Sequence, residues 1–116
     1  MLKFERLTVW QKAITLTGEV HQLTRKFPKE ELYILTSQIK RAADSIALNI
    51  AEGSTGQTTA EFKLFLSYAL RSALEVISCL YVGRQRGLVH QKDFEVYYAQ
   101  VEELVKMIQG LRNSLR

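Results

Sequence analysis

The chain has 116 residues, 47% hydrophobic and 24% charged, which is enough apolar material for one real core and too much for a disordered segment. One proline and six glycines are too little punctuation for a strand-rich fold, and no uninterrupted apolar run approaches the roughly 20 residues of a membrane span. A net charge of +4 permits an acidic partner without requiring one, and the lone Cys79 excludes an internal disulfide framework and a multi-cysteine zinc site.

The N-terminal stretch MLKFERLTVWQK alternates charged and apolar residues and lacks the apolar centre of a secretory signal; with the single cysteine, this points to a reducing cytoplasm and no membrane partner. The first predicted helix covers 9–26. Thr8 and Gln11 read as a capping box at its start, and Val9, Ala13, Leu16, Val20 and Leu23 form one apolar stripe that Trp10 and Ile14 widen. Phe27 precedes Pro28, which disfavours helix at Phe27 and suits the first turn of a second helix over 28–52. Leu32, Leu35, Ile39, Ala42, Ile46 and Ile50 supply its core face. Gly53 reads as a left-handed C-cap opening a flexible loop to Gln57.

Thr58 and Glu61 predict a second capping box, here for a helix over 59–86 that Gly87 ends. Phe62, Leu66, Ala69, Ala73, Val76 and Leu80 line its core side. A fourth helix covers 91–115, where Phe94, Tyr97, Val101, Leu104, Ile108, Leu111 and Leu115 alternate in steps of three and four. That seven-residue rhythm suits left-handed bundle packing at crossing angles near about 20°. Short connections make neighbours antiparallel, so the predicted fold is all-α: a single up-and-down, antiparallel four-helix bundle.

Helix four is one-sided, with Glu95, Glu102, Glu103, Lys106 and Arg112 outward. Helix three is not: Leu64, Tyr68, Cys79 and Val82 form a second stripe roughly opposite the core stripe, with Glu75 among them. A helix apolar on two sides is expected to be buried on two sides, and four helices offer one core. A second copy of the chain is the simplest cover, and a homo-oligomer is predicted with those four residues at its interface.

Helix two also carries a polar stripe, Gln38, Arg41, Ser45, Asn49 and Glu52, beside its core face. With Lys40 and Asp44 taken as the solvent-facing neighbours, the stripe is expected to be semi-buried, Arg41 pairing with Glu75 or Glu52 and Gln38 and Asn49 bridging. A structural network that fixes helix register is the favoured reading; a ligand or catalytic pocket and ordinary solvated surface are the alternatives.

The stretch from Gln38 to Gly53, QIKRAADSIALNIAEG, closely resembles the signature of a bacterial four-helix-bundle family whose founding members are encoded within intervening sequences of the large-subunit ribosomal RNA gene. Phe4, Leu7 and Val9 to Ala13, then Phe27-Pro28, Glu31 and Leu35, Glu61-Phe62, Phe65-Leu66, Ala69, Ser72, Leu74-Glu75 and Gly87 agree with it over essentially the full length. His90 departs from the small polar residue that often caps helix four. The resemblance implies a homopentameric ring and no known catalysis. The family is in turn similar to accessory proteins of diversity-generating retroelements, basic pentameric bundles that bind nucleic acid and a reverse transcriptase.

Nothing in the residues argues for an enzyme or a cofactor. Neither His21 nor His90 has the glutamate three residues earlier that a di-iron bundle uses, and Gly53-Ser54-Thr55-Gly56 lacks the Lys-Ser/Thr ending of a phosphate loop. In an antiparallel bundle the first and third connections share one end, which would gather Arg25, Lys26, Lys29, Arg84, Arg86 and Lys92 against Glu30, Glu31, Asp93 and Glu95. A ring would multiply the resulting excess of about two positive charges and offer it to phosphates with little sequence selectivity. The same residues also merely complement the helix dipoles. No aromatic–basic stacking motif is expected at this end. RNA or DNA binding is therefore the leading expectation, with a protein-interaction scaffold as the alternative.

Overall fold

A computed structural model describes all 116 residues, Met1 to Arg116. Four α-helices and no strand make up the chain: α1 (Thr8–Thr24), α2 (Ser37–Ser54), α3 (Thr59–Gln85) and α4 (Gln91–Ser114), with 3₁₀ turns at Lys3–Arg6 and Lys29–Glu31 and a π-helical turn at Leu32–Thr36. The molecule measures 44 × 22 × 22 Å. At about 1.5 Å per residue, α3 alone runs almost its full length.

The apolar stripes converge on one cluster of 25 buried residues. The core-stripe residues expected of helices one and three are buried, from Val9 to Leu23 and from Phe62 to Leu80, but of the flank expected to widen the first stripe Trp10 is half-buried and Ile14 is 44% exposed. In α4 the deepest are Phe94, Val101, Leu104 and Ile108, while Tyr97, Leu111 and Leu115 pack partly buried against the cluster. By length and composition alone α3 is apolar enough to cross a bilayer, and a third of that stretch is buried against the rest of the molecule. Its core face accounts for part of that apolarity, while Leu64, Tyr68, Leu74, Tyr81 and Val82 stay outside.

Three local expectations are corrected. Thr8 does not cap α1. Leu7 holds the N-cap position with no side-chain bond, because the 3₁₀ turn before it brings the Glu5 carbonyl to Gln11 Nε2, 2.8 Å away. That turn is held by Phe4, packed edge-on against Trp10 at 5.0 Å.

The second helix begins later than Pro28, which sits in extended backbone. After the 3₁₀ turn, the Glu31 side chain accepts the Leu35 N–H at 3.3 Å across the π turn. The wider turn breaks the 3.6-residue phase. Leu35 stays buried, but Leu32, expected in the core, is 46% exposed.

Gly53 is not a left-handed cap. It lies inside α2, and the only residue with positive φ is Gly87, at 73°, just past the end of α3. Gly53 is instead buried where α2 meets α3. A Cβ there would stand 2.6 Å from Phe65 Cβ and 3.1 Å from Phe62 Cδ1, so the missing side chain is what lets the two helices approach. Thr58 does cap α3, its side chain accepting the Glu61 N–H at 3.0 Å.

Candidate nucleic-acid interface

The ends of α1 and α3 are tied by polar contacts to the start of α4 and to the turns before α2. Lys26 Nζ lies 3.3 Å from Asp93 Oδ2, Arg86 Nη1 lies 3.1 Å from Glu31 Oε1, and Arg84 Nη1 donates to Gln91 Oε1 at 3.3 Å. These contacts bring the six expected cations to one end of the molecule. Lys26 and Arg86 are thereby neutralised. Arg25 reaches only Gln22, at 3.5 Å, and Lys29 and Lys92 are exposed without an ion pair. Four cations (Arg25, Lys29, Arg84, Lys92) thus stand against two unpaired exposed acids, Glu30 and Glu95, leaving an excess of two. Exposed pairs of this kind contribute at most about 1 kcal/mol each, so they set charge more than stability.

The expectation that this end lacks an aromatic–basic element is overturned. The Arg84 guanidinium carbon sits 4.0 Å from the centre of the Phe94 ring and 5.1 Å from that of Tyr81. Tyr81 and Phe94 meet edge to face at 4.9 Å, and Tyr98 joins them. Tyr81 and Arg84 are three residues apart on one helix, a legible spacing; the contribution of Phe94 from the next helix was not.

The polar stripe of α2 follows the α2–α3 seam but is not the expected buried network. Ser72 Oγ donates to Ser45 Oγ at 2.8 Å, and Asn49 Nδ2 donates to the Ser45 carbonyl at 2.8 Å and to its Oγ at 2.9 Å. Gln38 donates to Glu75 at 3.3 Å. Gln38, Arg41 and Glu52 are exposed, while Lys40 and Asp44, expected outside, are half-buried. Arg41 pairs with neither proposed partner. Glu52 is eleven residues away, about 16 Å along the helix, and Glu75 is taken by Gln38.

Of the four residues expected at a subunit interface, Leu64, Tyr68 and Val82 are exposed at 48, 37 and 38%. Cys79 is corrected: it is buried in the core cluster. At 100° per residue it falls between the outer stripe and the core stripe, on the same side of α3 as Ser72, which meets α2. Burial, and secondarily the Glu75 charge, pushes its thiol up to about 11. Sequence reasoning missed the most exposed apolar side chains of the α2 segment, Tyr33 and Leu48. Leu48 lies opposite the core stripe of α2, so its position was readable.

Residues 5–110 match the family described as 23S rRNA-intervening sequence protein. The chain belongs to that family. A crystal structure of a protein of unknown function from the S23 ribosomal protein family of Bacteroides thetaiotaomicron superposes with a TM-score of 0.85 at 22% identity, covering 91% of this chain and 96% of that one. At that identity the likeness is one of fold. No curated protein matches the chain.

Among the other concave regions of the chain, one lies between α1 and α4 and is lined by Lys12, Thr15, Glu19, Gln100 and Glu103. Lys12 Nζ and Glu103 Oε1 close it at 2.8 Å, and Tyr97 donates its hydroxyl to the Glu19 carbonyl at 2.7 Å. Burial first, then the Glu19 and Asp93 charges, raise the Tyr97 hydroxyl above its ordinary range. Gln100 Oε1 is a buried acceptor without a partner beside this cleft.

Proposed function

We propose that this intervening-sequence protein is a non-enzymatic, cytoplasmic accessory protein that binds RNA or DNA through its basic end, as a cyclic homo-oligomer of five copies. One observation carries the binding: four cations at a single end have no carboxylate partner, against two unpaired acids. Counterion release makes such a surface a sequence-tolerant phosphate binder, and five copies around one axis multiply the effect. The likeness to retroelement accessory proteins that the sequence resemblance implies would agree with this reading.

The ring reading rests on the uncovered apolar stripe of α3 at Leu64, Tyr68 and Val82. Each copy is taken as an antiparallel up-and-down bundle, supported by the pairing of Lys12 with Glu103 and of Lys26 with Asp93, in which the α4 partner moves back as the α1 residue advances. Native mass spectrometry of wild type and of a Leu64→Glu, Val82→Glu variant tests the assembly; a monomer at every concentration of wild type would overturn it.

Fluorescence anisotropy with labelled RNA and DNA across a salt series tests binding. The logarithm of affinity should fall linearly with that of salt, and Arg84→Glu with Lys92→Glu should make the slope shallower by roughly one per lost phosphate contact. No binding even at low salt would favour a protein-interaction scaffold, a reading that the exposure of Tyr33 and Leu48 supports.

A further inference from the structure

We infer that the last turns of α3 form a stacking ledge for unpaired bases, so that the nucleic acid taken by this end is single-stranded: a base lies on Tyr81 and its phosphate meets Arg84. The inference rests on the nucleic-acid reading above and adds to it the class of ligand.

Tyr81 is 48% exposed, yet its ring is fixed by edge-to-face contacts with Phe94 and Tyr98 and by the Arg84 guanidinium 5.1 Å from its centre. A half-exposed ring fixed by its neighbours loses little side-chain freedom when a base lands on it. Beside it, Arg84 lies over the Phe94 ring, uses one nitrogen on Gln91 and has no carboxylate partner. A guanidinium seated on a ring keeps its remaining N–H groups free for phosphate oxygens. Tyr81, Val82, Arg84, Gln85 and Arg86 together line a shallow depression at this turn. In a duplex the base faces are already stacked on one another, so only an unpaired strand can use an aromatic ledge; its backbone then tracks the adjoining charge.

Tyr81 also lies about 100° around α3 from the Leu64 and Val82 stripe. The ledge therefore adjoins the proposed subunit contact, and Val82 lines the edge of both.

The test compares labelled oligo(U), oligo(dT) and a mixed-sequence duplex on wild type, Tyr81→Phe, Tyr81→Ala and an Arg84→Glu, Lys92→Glu pair, with circular dichroism and native mass recorded for each. Tyr81→Ala should weaken both single strands between about fivefold and about a hundredfold while leaving the duplex unchanged, and Tyr81→Phe should retain wild-type affinity. Wild-type protein should also shift the emission of a single strand carrying 2-aminopurine, a readout of stacking that needs no variant. The ledge is overturned if Tyr81→Ala weakens single strand and duplex alike, leaves both intact, or changes only the native mass. In those cases the charge reversal still lowers affinity and the broader binding reading stands. If wild type binds none of the three probes at low salt, both readings fall together.

Discussion

Replacing Gly53 by alanine separates two accounts of the α2–α3 junction. A glycine inside a helix costs about 1 kcal/mol relative to alanine, so on propensity alone Gly53→Ala should stabilise the protein. Packing opposes this. The new Cβ would stand 2.6 Å from Phe65 Cβ and 3.4 Å from the Phe62 carbonyl oxygen, atoms on or next to the α3 backbone that no rotamer change can move. Ordinary contact requires α2 and α3 to part by about an ångström, along the interface where α2 packs most extensively. Overpacking typically costs about 1–3 kcal/mol, and a clash with backbone-fixed atoms falls in the upper part of that range, so after the propensity gain the net expectation is a loss of about 1–2 kcal/mol. In a domain of this size that lowers the melting midpoint by roughly 4 °C or more. The assay is thermal and urea unfolding followed by circular dichroism, at fixed protein concentration because assembly shifts apparent stability. Gly53→Asn sharpens it. A left-handed cap tolerates asparagine better than alanine, whereas a crowded helix contact rejects the larger side chain more strongly. Stability in the order Gly53, Ala, Asn supports close approach; asparagine outperforming alanine, or alanine matching wild type, would refute it.

Gly18 and Gly110 lie inside α1 and α4 with open space around the position of a Cβ, so alanine at either should stabilise by about 0.5–1 kcal/mol in the same unfolding assay. Thr58→Ala removes the acceptor for the Glu61 N–H and should cost about 1 kcal/mol, measured as a lower urea midpoint. The Cys79 thiol, raised by burial and then by Glu75, keeps its proton in the folded chain up to about 11, while the unfolded thiol loses it near 9.0. The folded state therefore binds more protons in that window. This contribution to stability is complete below pH 9.0 and lost as pH climbs to about 11. Urea midpoints across that range should fall less steeply for Cys79→Ala than for wild type, and the native thiol should react slowly with disulfide reagents until the chain unfolds.

The core was legible because a straight α-helix repeats one angle and the apolar residues kept to it. Val9 to Leu23 and Phe62 to Leu80 needed nothing else. Reading failed where the helix departs from that angle or where a second element intervenes. The π turn at Leu32–Thr36 shifts Leu32 out of phase, and no residue type announces such a turn. Gly53 was read from its type, as a residue that relaxes backbone, when its use here is to omit a side chain. Whether a glycine bends a chain or admits a neighbour depends on the neighbour, here Phe65, twelve residues on. The polar stripe was placed correctly beside the core face of α2, but its burial was not. A position next to a core stripe is covered only if a neighbouring helix leans that way, and α3 covers Ser45 and Asn49 while leaving Arg41 and Glu52 outside.

The basic end shows most clearly what counting charges cannot supply. Six cations and four acids in the sequence already leave an excess of two, and the folded chain leaves the same excess. What folding adds is a sorting. Lys26 and Arg86 are spent on Asp93 and Glu31, fastening helix ends to one another, whereas Arg84 is lifted onto Phe94 with its charge uncompensated. Reversal of Arg86 should therefore loosen the α3 terminus by breaking its pair with Glu31, whereas reversal of Arg84 should act chiefly on a bound anion. Two arginines two residues apart, indistinguishable in the sequence, thus carry different work because two steps of about 100° turn them to nearly opposite sides of α3 and only one of them faces an aromatic ring.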